Sequence, residues 1–567
     1  MALLGASFQI GRSALAAYQS AIAITGQNIA NVGNPNYTRL TGRLSTLEGG
    51  LAGGIAAGGG VTLSALQRHI DEALETRLRM SLGSRAAAES TYGSLSQVEA
   101  LYNELTEYDL STQLANFFNT FADLQNNPEE LTSRHLVLSE ADSVIRTLRR
   151  QRSALLNQAV DLNSAVEQSV SRANALAQEI ADLNQLVVTQ EARGSGYSAP
   201  LRDRRDALLR ELGELMDIQV RERDNGAINV YIGGEPLVEF NRSRGLVVER
   251  ELEQGLELAS VHFGDNHGTV LIRDGRLAAQ LTARDEHLLG QVQALDQLAR
   301  GLIYEVNRVH STGRGLVGYT SLTSNYAVAD TNAALNSTQA GLPFPLQNGS
   351  FIVHVRDQDS GQTTTRLIKI DLDGVGGDTT LAALAAQLDG VPNLTAGITS
   401  DNRLELTAAE GFEISFSEDS SGALAALGLA TLLDGTNAAN IDITAAVRSD
   451  VRLLAASLGG LSADGDNAGR LMTVRQASST LLGNQSVEDF QAAMVNRLAV
   501  QTSAALNTYE ASDAVYSSLM AQREAVSGVS LDEEAVNLSR FETAYNAAAR
   551  YFTVLDNMAN EVLRLVS

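Results

Sequence analysis

The chain contains no cysteine and no tryptophan. Without thiols it can hold no disulfide, no thiolate metal site and no cysteine nucleophile, and its redox compartment stays open because such a chain tolerates either environment. Aromatic residues make up only 5%, which points to aliphatic, helix-rich packing. Cations are also scarce: Lys and Arg number 42 against 67 Asp and Glu, a formal net charge of -25. That surface repels phosphate backbones and anionic headgroups, so no nucleic acid partner is expected. Its plain consequence is solubility, and its sharper one is self-repulsion that delays premature assembly. No stretch approaches the roughly 18 uninterrupted apolar residues needed to span a bilayer, so no membrane insertion is expected. The opening MALLGASFQIGRSALAAYQS lacks the basic region, apolar run and small-residue cleavage site of a secretory signal. Composition alone therefore implies a cytosolic chain or one that leaves by an unusual route.

The residues of catalysis are scattered. His69, His135, His262, His267, His287, His310 and His354 show no HExxH or paired-ligand spacing, so no catalytic metal is expected. Asp371, Asp373, Gly374 and Asp378 in DLDGVGGD are similar to a calcium loop, but the closing Glu of an EF-hand is missing and strands flank the segment. It reads as a glycine-rich turn, and with no Lys-Ser/Thr after the glycines it is no phosphate loop. SADGDNAG at 462–469 reads as a surface loop, and LRDRRD at 201–206 as exposed ion pairs along a helix, with an acidic partner as the less favoured reading. No acid pair or triad supports a hydrolase. The expectation is no enzyme, no metal and no cofactor.

What the chain does have is length and periodicity. At 567 residues, with 44% hydrophobic and 19% charged, it exceeds one core and should form several domains. Leu4, Phe8, Gly11, Leu15, Tyr18, Ile22, Thr25 and Ile29 follow a strict 3-4 spacing that lines one stripe of a helix, ended by Asn31, Gly33, Asn34 and Pro35. Leu531, Leu538, Phe541, Tyr545, Ala548, Phe552, Leu555, Ala559, Val562 and Val566 repeat the pattern at the other end. Neither stripe can be buried by its own helix, and isolated helices of this length are marginal. Pairing the two ends closes a very long loop, but closure costs only about 0.6 kcal/mol per doubling of length, less than one buried Leu or Phe contributes. Leu15 and Phe552 are expected to face each other.

Residues 36–66, with GGLAGGIAAGGG at 49–60, read as an extended connector with short strands. Ser111 is the expected N-cap of a helix that Asn126, Asn127 and Pro128 terminate. A single helical pattern through Ile145, Leu162, Leu176 and Val187 could extend on the order of 80 Å as a rod, broken by ARGSGYSAP at 192–200. Asp224-Asn225-Gly226 reads as a hairpin turn between alternating strands, helix returns over 277–311, and FIVHV, TTRLIKIDLD, NRLELTA and FEISFSED alternate as strands around a helix over TTLAALAAQL. The fold class is mainly α with inserted β domains (α+β). Terminal helices over 1–66 and 528–567 form a coiled coil. A long helical rod takes 67–216, 277–325 and 448–527, a small antiparallel unit 217–276, and an outer β-rich insertion 326–447.

Two end segments resemble a known family. SALAAYQSAIAITGQNIANVGNPNYTR at 13–39 and SGVSLDEEAVNLSRFETAYNAAARYFTVLDNMANEVLRL at 527–565 are similar to the terminal motifs of the axial proteins of the bacterial flagellum, which comprise rod, hook and hook-associated subunits. Many relatives place Gly before the motif Tyr, whereas this chain has Asn36, which tolerates a left-handed backbone. LRDRRDALLRELGELMDIQV at 201–220, GRLAAQLTARDEHLLGQVQALDQLARGLIYEVNRVH at 275–310 and FEISFSEDSSGALAALGLATLL at 412–433 also resemble blocks of hook-associated subunits, while 317–400 carries no recognised motif. The resemblance implies a structural, secreted subunit, exported unfolded by the flagellar type III route with an export chaperone near its C-terminus. It implies assembly as a homo-oligomeric ring at the extracellular junction of hook and filament, against hook protein and, on the other side, a second junction protein (hook-associated protein 3) that leads to the filament. The subunit-packing seam would be Leu4, Phe8, Leu15, Tyr18, Ile22 and Ile29 with Leu538, Phe541, Tyr545, Phe552, Leu555 and Val562. The alternative from another class is a secreted adhesin or effector with an oligomerising helical base, its β domain binding a ligand.

Overall fold

The computed structural model describes residues 2–48, 51–52, 55–56, 58–102, 109–192, 198–253 and 256–566. Its helices, in chain order, are α1 (Ala2–Ala30), α2 (Glu72–Tyr102), α3 (Leu110–Asn126), α4 (Leu131–Ala192), α5 (Ala199–Leu215), α6 (Arg276–Thr282), α7 (Leu289–His310), α8 (Leu381–Asp389), α9 (Ala423–Leu427), α10 (Ala445–Ser449), α11 (Asp466–Thr473), α12 (Val487–Ser527) and α13 (Leu531–Val566). The apolar 3.6-residue period between Ile145 and Val187 belongs to α4, one helix of 62 residues with no Pro or Gly inside it. Part of the expected break at 192–200, residues 193–197, lies outside the described residues, as does much of the glycine-rich run at 49–60.

Two compact units are present. The first comprises residues 1–94, 161–283 and 503–567, the second residues 95–160 and 284–502. Between α6 and α7 the helix widens into a π-turn over Ala283–Leu288, a local insertion that a 3.6-residue pattern does not reveal.

In the first unit, aliphatic side chains of α4, among them Val166, Leu176 and Ile180, meet Leu208, Leu209 and Leu212 of α5 and Ile228, Val230 and Val261 of the strands. Strands 218–222, 228–232, 235–239 and 242–243 form one antiparallel sheet, and 246–253 pairs with 256–263 as a hairpin. The first two strands align Ile218 with Ile232. Their turn needs Gly226, whose φ is +80°. A fully buried Asn184 on α4 pins this sheet: its Nδ2 donates to the carbonyls of Ile228 (2.8 Å) and Phe240 (2.7 Å), and its Oδ1 accepts from Ile228 N (3.1 Å). The connector after α1 is a β-hairpin, Leu40–Leu47 against Gly60–Arg68.

The second unit gathers Phe117, Phe118 and Phe121 of α3 into an aromatic cluster with centroids 5.1 and 5.2 Å apart. The N-cap of α3 is Asp109, whose Oδ1 accepts from Thr112 N at 2.6 Å. The expectation of Ser111 is therefore corrected by two residues, because a carboxylate complements the helix dipole better than a hydroxyl. Strand 349–357 lies between 363–370 and 412–417, and strand 404–408 between 321–323 and 394–398, every pairing antiparallel. Period-2 alternation buries Phe351, Val353 and Val355 on one face. Strand 321–323 begins before the residues assigned to the β-rich insertion. Asn307, fully buried on α7, donates to Leu433 O (2.7 Å) and accepts from Leu432 N and Leu433 N.

Candidate assembly site at the chain ends

Helix α1 packs along α13 within a single chain. The pairing is antiparallel, since Phe8 meets Phe552 near the start of α1 while Asn28, at its end, meets Glu534 in the first turn of α13. Phe8 and Phe552 touch edge to face, centroids 5.3 Å apart with planes at 77°, a favoured quadrupole geometry. Gly11 is what lets the ring in: a Cβ there would sit 3.2 Å from Phe552 and 3.5 Å from Tyr551. The expected facing of Leu15 and Phe552 gives way to this register, shifted toward the chain start.

Of the twelve seam positions, Leu4, Phe8, Leu15, Tyr18, Ile22, Ile29, Leu538, Phe541, Tyr545 and Phe552 are half-buried and Leu555 is buried. Val562 is 39% exposed, because the antiparallel register carries it past the start of α1. Helix α1 also touches the hairpin that follows it; Ser13 Oγ accepts from Val61 N at 3.2 Å.

A polar latch holds the inner end of the pair. Asn28 uses its full capacity of two donors and two acceptor sites. Its Nδ2 donates to Leu40 O (2.9 Å) and Glu534 Oε2 (3.1 Å), and its Oδ1 accepts from Tyr37 Oη (2.7 Å) and Leu40 N (3.0 Å). Arg39 adds Nε to Glu534 Oε1 at 2.9 Å and Nη1 to Glu533 Oε2 at 2.7 Å, while its backbone N donates to Ser527 O. Burial, then the carboxylates of Asp203 and Glu534, pushes the Tyr37 phenol up to about 12, so it stays a donor.

Beside the latch, charges are buried in pairs. Glu75 of α2 receives Arg523 Nε of α12 at 2.7 Å and Arg210 Nη1 of α5 at 3.1 Å, and Arg523 Nη1 also donates to Pro35 O. Arg68 pairs with Asp203 at 2.9 Å and with Asp206. Burial pushes the Asp203 carboxyl up, against the opposing pull of Arg68. The reading of LRDRRD as exposed ion pairs is thereby corrected: Arg202, Asp203 and Arg205 are buried. Arg202 binds Glu191 and Glu222, and Arg205 Nη1 binds Asn184 Oδ1 and Gly226 O. Packing of α4, the sheet and the hairpin after α1 on α5 turns that face inward, which alternating signs along one helix cannot disclose. The left-handed residue of the motif turn is Gly33 (φ +77°), and Asn36 is not left-handed. Asn36 serves through its side chain, whose Oδ1 accepts from Arg210 Nη2 at 2.8 Å.

Asp371, Asp373 and Asp378 bring carboxylate oxygens within 4.8 Å of one another. Asp373 Oδ1 accepts from Val375 N and Asp378 Oδ1 from Gly374 N, the work of a turn. No helix among the described residues is long and apolar enough to cross a membrane.

Comparison with known proteins bears on these ends and on the middle alike. Residues 95–322 match the family described as the flagellar hook-associated protein FlgK helical domain. Flagellar hook-associated protein 1 of Salmonella typhimurium is 26% identical over 573 residues, covering 98% of each chain. Its counterparts in Escherichia coli K12 (26% over 551 residues, 95% of each chain) and Bacillus subtilis (25% over 565 residues, 98% of this chain and 97% of that one) agree. The solved structure of the flagellar hook junction protein FlgK from Burkholderia pseudomallei has the same fold at 14% identity, with a TM-score of 0.50 over 80% of this chain and 100% of that one. The likeness runs nearly end to end and takes in both terminal helices, so the chain is similar to flagellar hook-associated protein 1 over almost its whole length.

Proposed function

We propose that this chain is a structural subunit of the bacterial flagellum, not an enzyme, and that it forms the junction between hook and filament. The observation that carries the reading is the antiparallel α1–α13 pair, latched by Asn28 and Glu534, in a chain similar to hook-associated protein 1 over nearly its whole length. Two chain ends joined in one helical pair give each subunit a single rod-like foot. Like feet packed side by side through heterologous contacts close as a ring or continue as a helix. The half-buried seam from Leu4 to Val562 supplies the apolar surface, part of it spent within the chain and the rest left for neighbours.

The subunit works outside the cell, at the flagellum. Its partners there would be the hook protein on one side and, through a second junction protein of the hook-associated protein 3 type, the filament on the other, with an export chaperone engaging the C-terminal segment beforehand. Folding of the ends is completed by packing, so that assembly is restricted to the growing tip. The likenesses give the adhesin or effector reading no support.

A deletion strain tests the function. It should build hooks, release flagellin into the medium and carry no filaments, and the wild-type gene should restore them. Normal filaments on the deletion strain would overturn the proposal.

A further inference from the structure

The stripe that pairs α1 with α13 is not the only apolar stripe on α13. One position before Ala548, Phe552, Leu555 and Ala559 runs a second row: Ala547, Tyr551, Val554 and Met558, all exposed, with Tyr551, Val554 and Met558 at 42%, 55% and 52% and one edge of the Tyr551 ring lying over Gly11 of its own chain. The same one-residue offset, taken forward on α1, gives another row at alternating spacings of four and three: Gly5, Gln9, Arg12, Ala16, Gln19, Ala23 and Gly26 are all exposed. A 3.5-residue repeat of this kind is a left-handed coiled-coil seam. One row is made of large apolar side chains, the other of small residues and amides, so ridge and groove are both present on one foot but face different directions.

Charge identifies what covers them. Among the described helices longer than ten residues, α1 alone carries no carboxylate, and its single charge is Arg12, in a chain of net charge -25. A second copy repels this chain nearly everywhere; at α1 it meets no negative charge and one positive one, while α13 presents Asp556 between Val554 and Met558, its Glu561 being paired with Arg564 at 3.7 Å.

We infer that the α13 ridge of one copy, centred on Val554 and Met558, seats in the outer groove of α1 of the next copy, so that each foot uses two seams, one within the chain and one between chains. The inference rests on the proposed function and refines it: exposed residues one position away from the heptad seam join copies, in addition to what the seam itself leaves uncovered. A head-to-tail contact of this form is heterologous and can propagate around a ring.

The absence of native cysteine makes the test direct. Val554→Cys is combined in turn with Ala16→Cys, Gln19→Cys or Ala23→Cys in the full chain, flagella are isolated and oxidised, and the chain is run without reductant. Within one copy Val554 lies beside the Phe8–Phe552 contact, roughly 12 Å or more along the axis from Ala16, too far for a disulfide. Any cross-link therefore joins copies. The inference expects covalent dimers and a ladder of higher species for at least one pair, while a Phe8→Cys/Phe552→Cys control cross-links within monomers. If the control forms and no pair yields a species above monomer, the assignment of faces is overturned while the flagellar reading stands. Dimers from Val554→Cys alone, at equal yield, would also overturn it, since α13 would then meet α13. If the wild-type chain is absent from flagella, the reading beneath the inference falls with it.

Discussion

Asn28 and Glu534 are 506 residues apart in sequence, yet Asn28 Nδ2 donates to Glu534 Oε2 at 3.1 Å, with the two residues only 1% and 2% exposed. This contact, reinforced by Arg39, ties the last turn of α1 to the first turn of α13, where Asp532, Glu533 and Glu534 already suit the helix dipole. Asn28→Ala leaves Tyr37 Oη, Leu40 N and one oxygen of a buried carboxylate without their partner. We expect a loss of about 2–4 kcal/mol in urea unfolding of the first unit. A change below 0.5 kcal/mol would show that the latch is not what joins the ends.

Glu75 sits between Arg523 and Arg210, with its side chain and that of Arg523 at 5% and 3% exposure. Glu75→Ala strands two guanidinium groups without their shared anion. Breaking a buried pair from one side costs about 3–5 kcal/mol, and thermal unfolding should report it. Glu75→Gln keeps an acceptor for one guanidinium but turns an amide N–H toward the other, and should fall between the alanine variant and the wild type.

The close approach at Gly11 makes a local prediction. Its Cβ position is already 3.2 Å from the Phe552 ring, so Gly11→Leu drives side-chain atoms into that ring. Overpacking of this kind costs about 1–3 kcal/mol, which corresponds to roughly 5- to 160-fold faster amide exchange along α1. Exchange in the Phe351–Phe416 sheet should be unchanged.

His310 ties the second unit to pH. Its Nδ1 lies 2.8 Å from Ala430 O and donates to it, and its Nε2 accepts from Ala455 N at 3.0 Å. Burial pulls this imidazole down from 6.5 to about 4. The neutral form is thus the one the fold favours. Its contribution is fully present above pH 6.5 and is lost as pH falls through the folded value, and the full shift corresponds to about 3 kcal/mol. His310→Gln should flatten the pH dependence of stability between 6.5 and 4; an unchanged slope would contradict the assignment.

Much of this was legible in the amino-acid order. The 3-4 rows at both ends, the 62-residue α4 and the hairpin at Asp224-Asn225-Gly226 are periodicities that local physics imposes, and a period survives whatever packs on it. What stayed hidden depends on neighbours distant in sequence. Arg202, Asp203 and Arg205 look like a solvated ion-pair face until α4, the sheet and the hairpin are placed over them. The partners of Asn28 lie at Tyr37, Leu40 and Glu534, and nothing in GQNIANVGNPNY names the last of these. The register of α1 on α13 likewise follows from Gly11 and from the latch together, so a heptad alone placed Leu15 where Phe8 and Gly11 stand.

If neighbouring copies cover the paired ends in the flagellum, as proposed, Phe552 is shielded there while the exposed strand residue Thr365 stays open to reagent. Single cysteines introduced at Phe552 and, separately, at the exposed Thr365 would be the only thiols in the chain, and a bulky maleimide applied to intact flagella reads their accessibility. Rapid labelling at position 365 and protection at position 552 until the flagella are dissociated are expected. Equal labelling of position 552 in intact flagella would contradict the proposal.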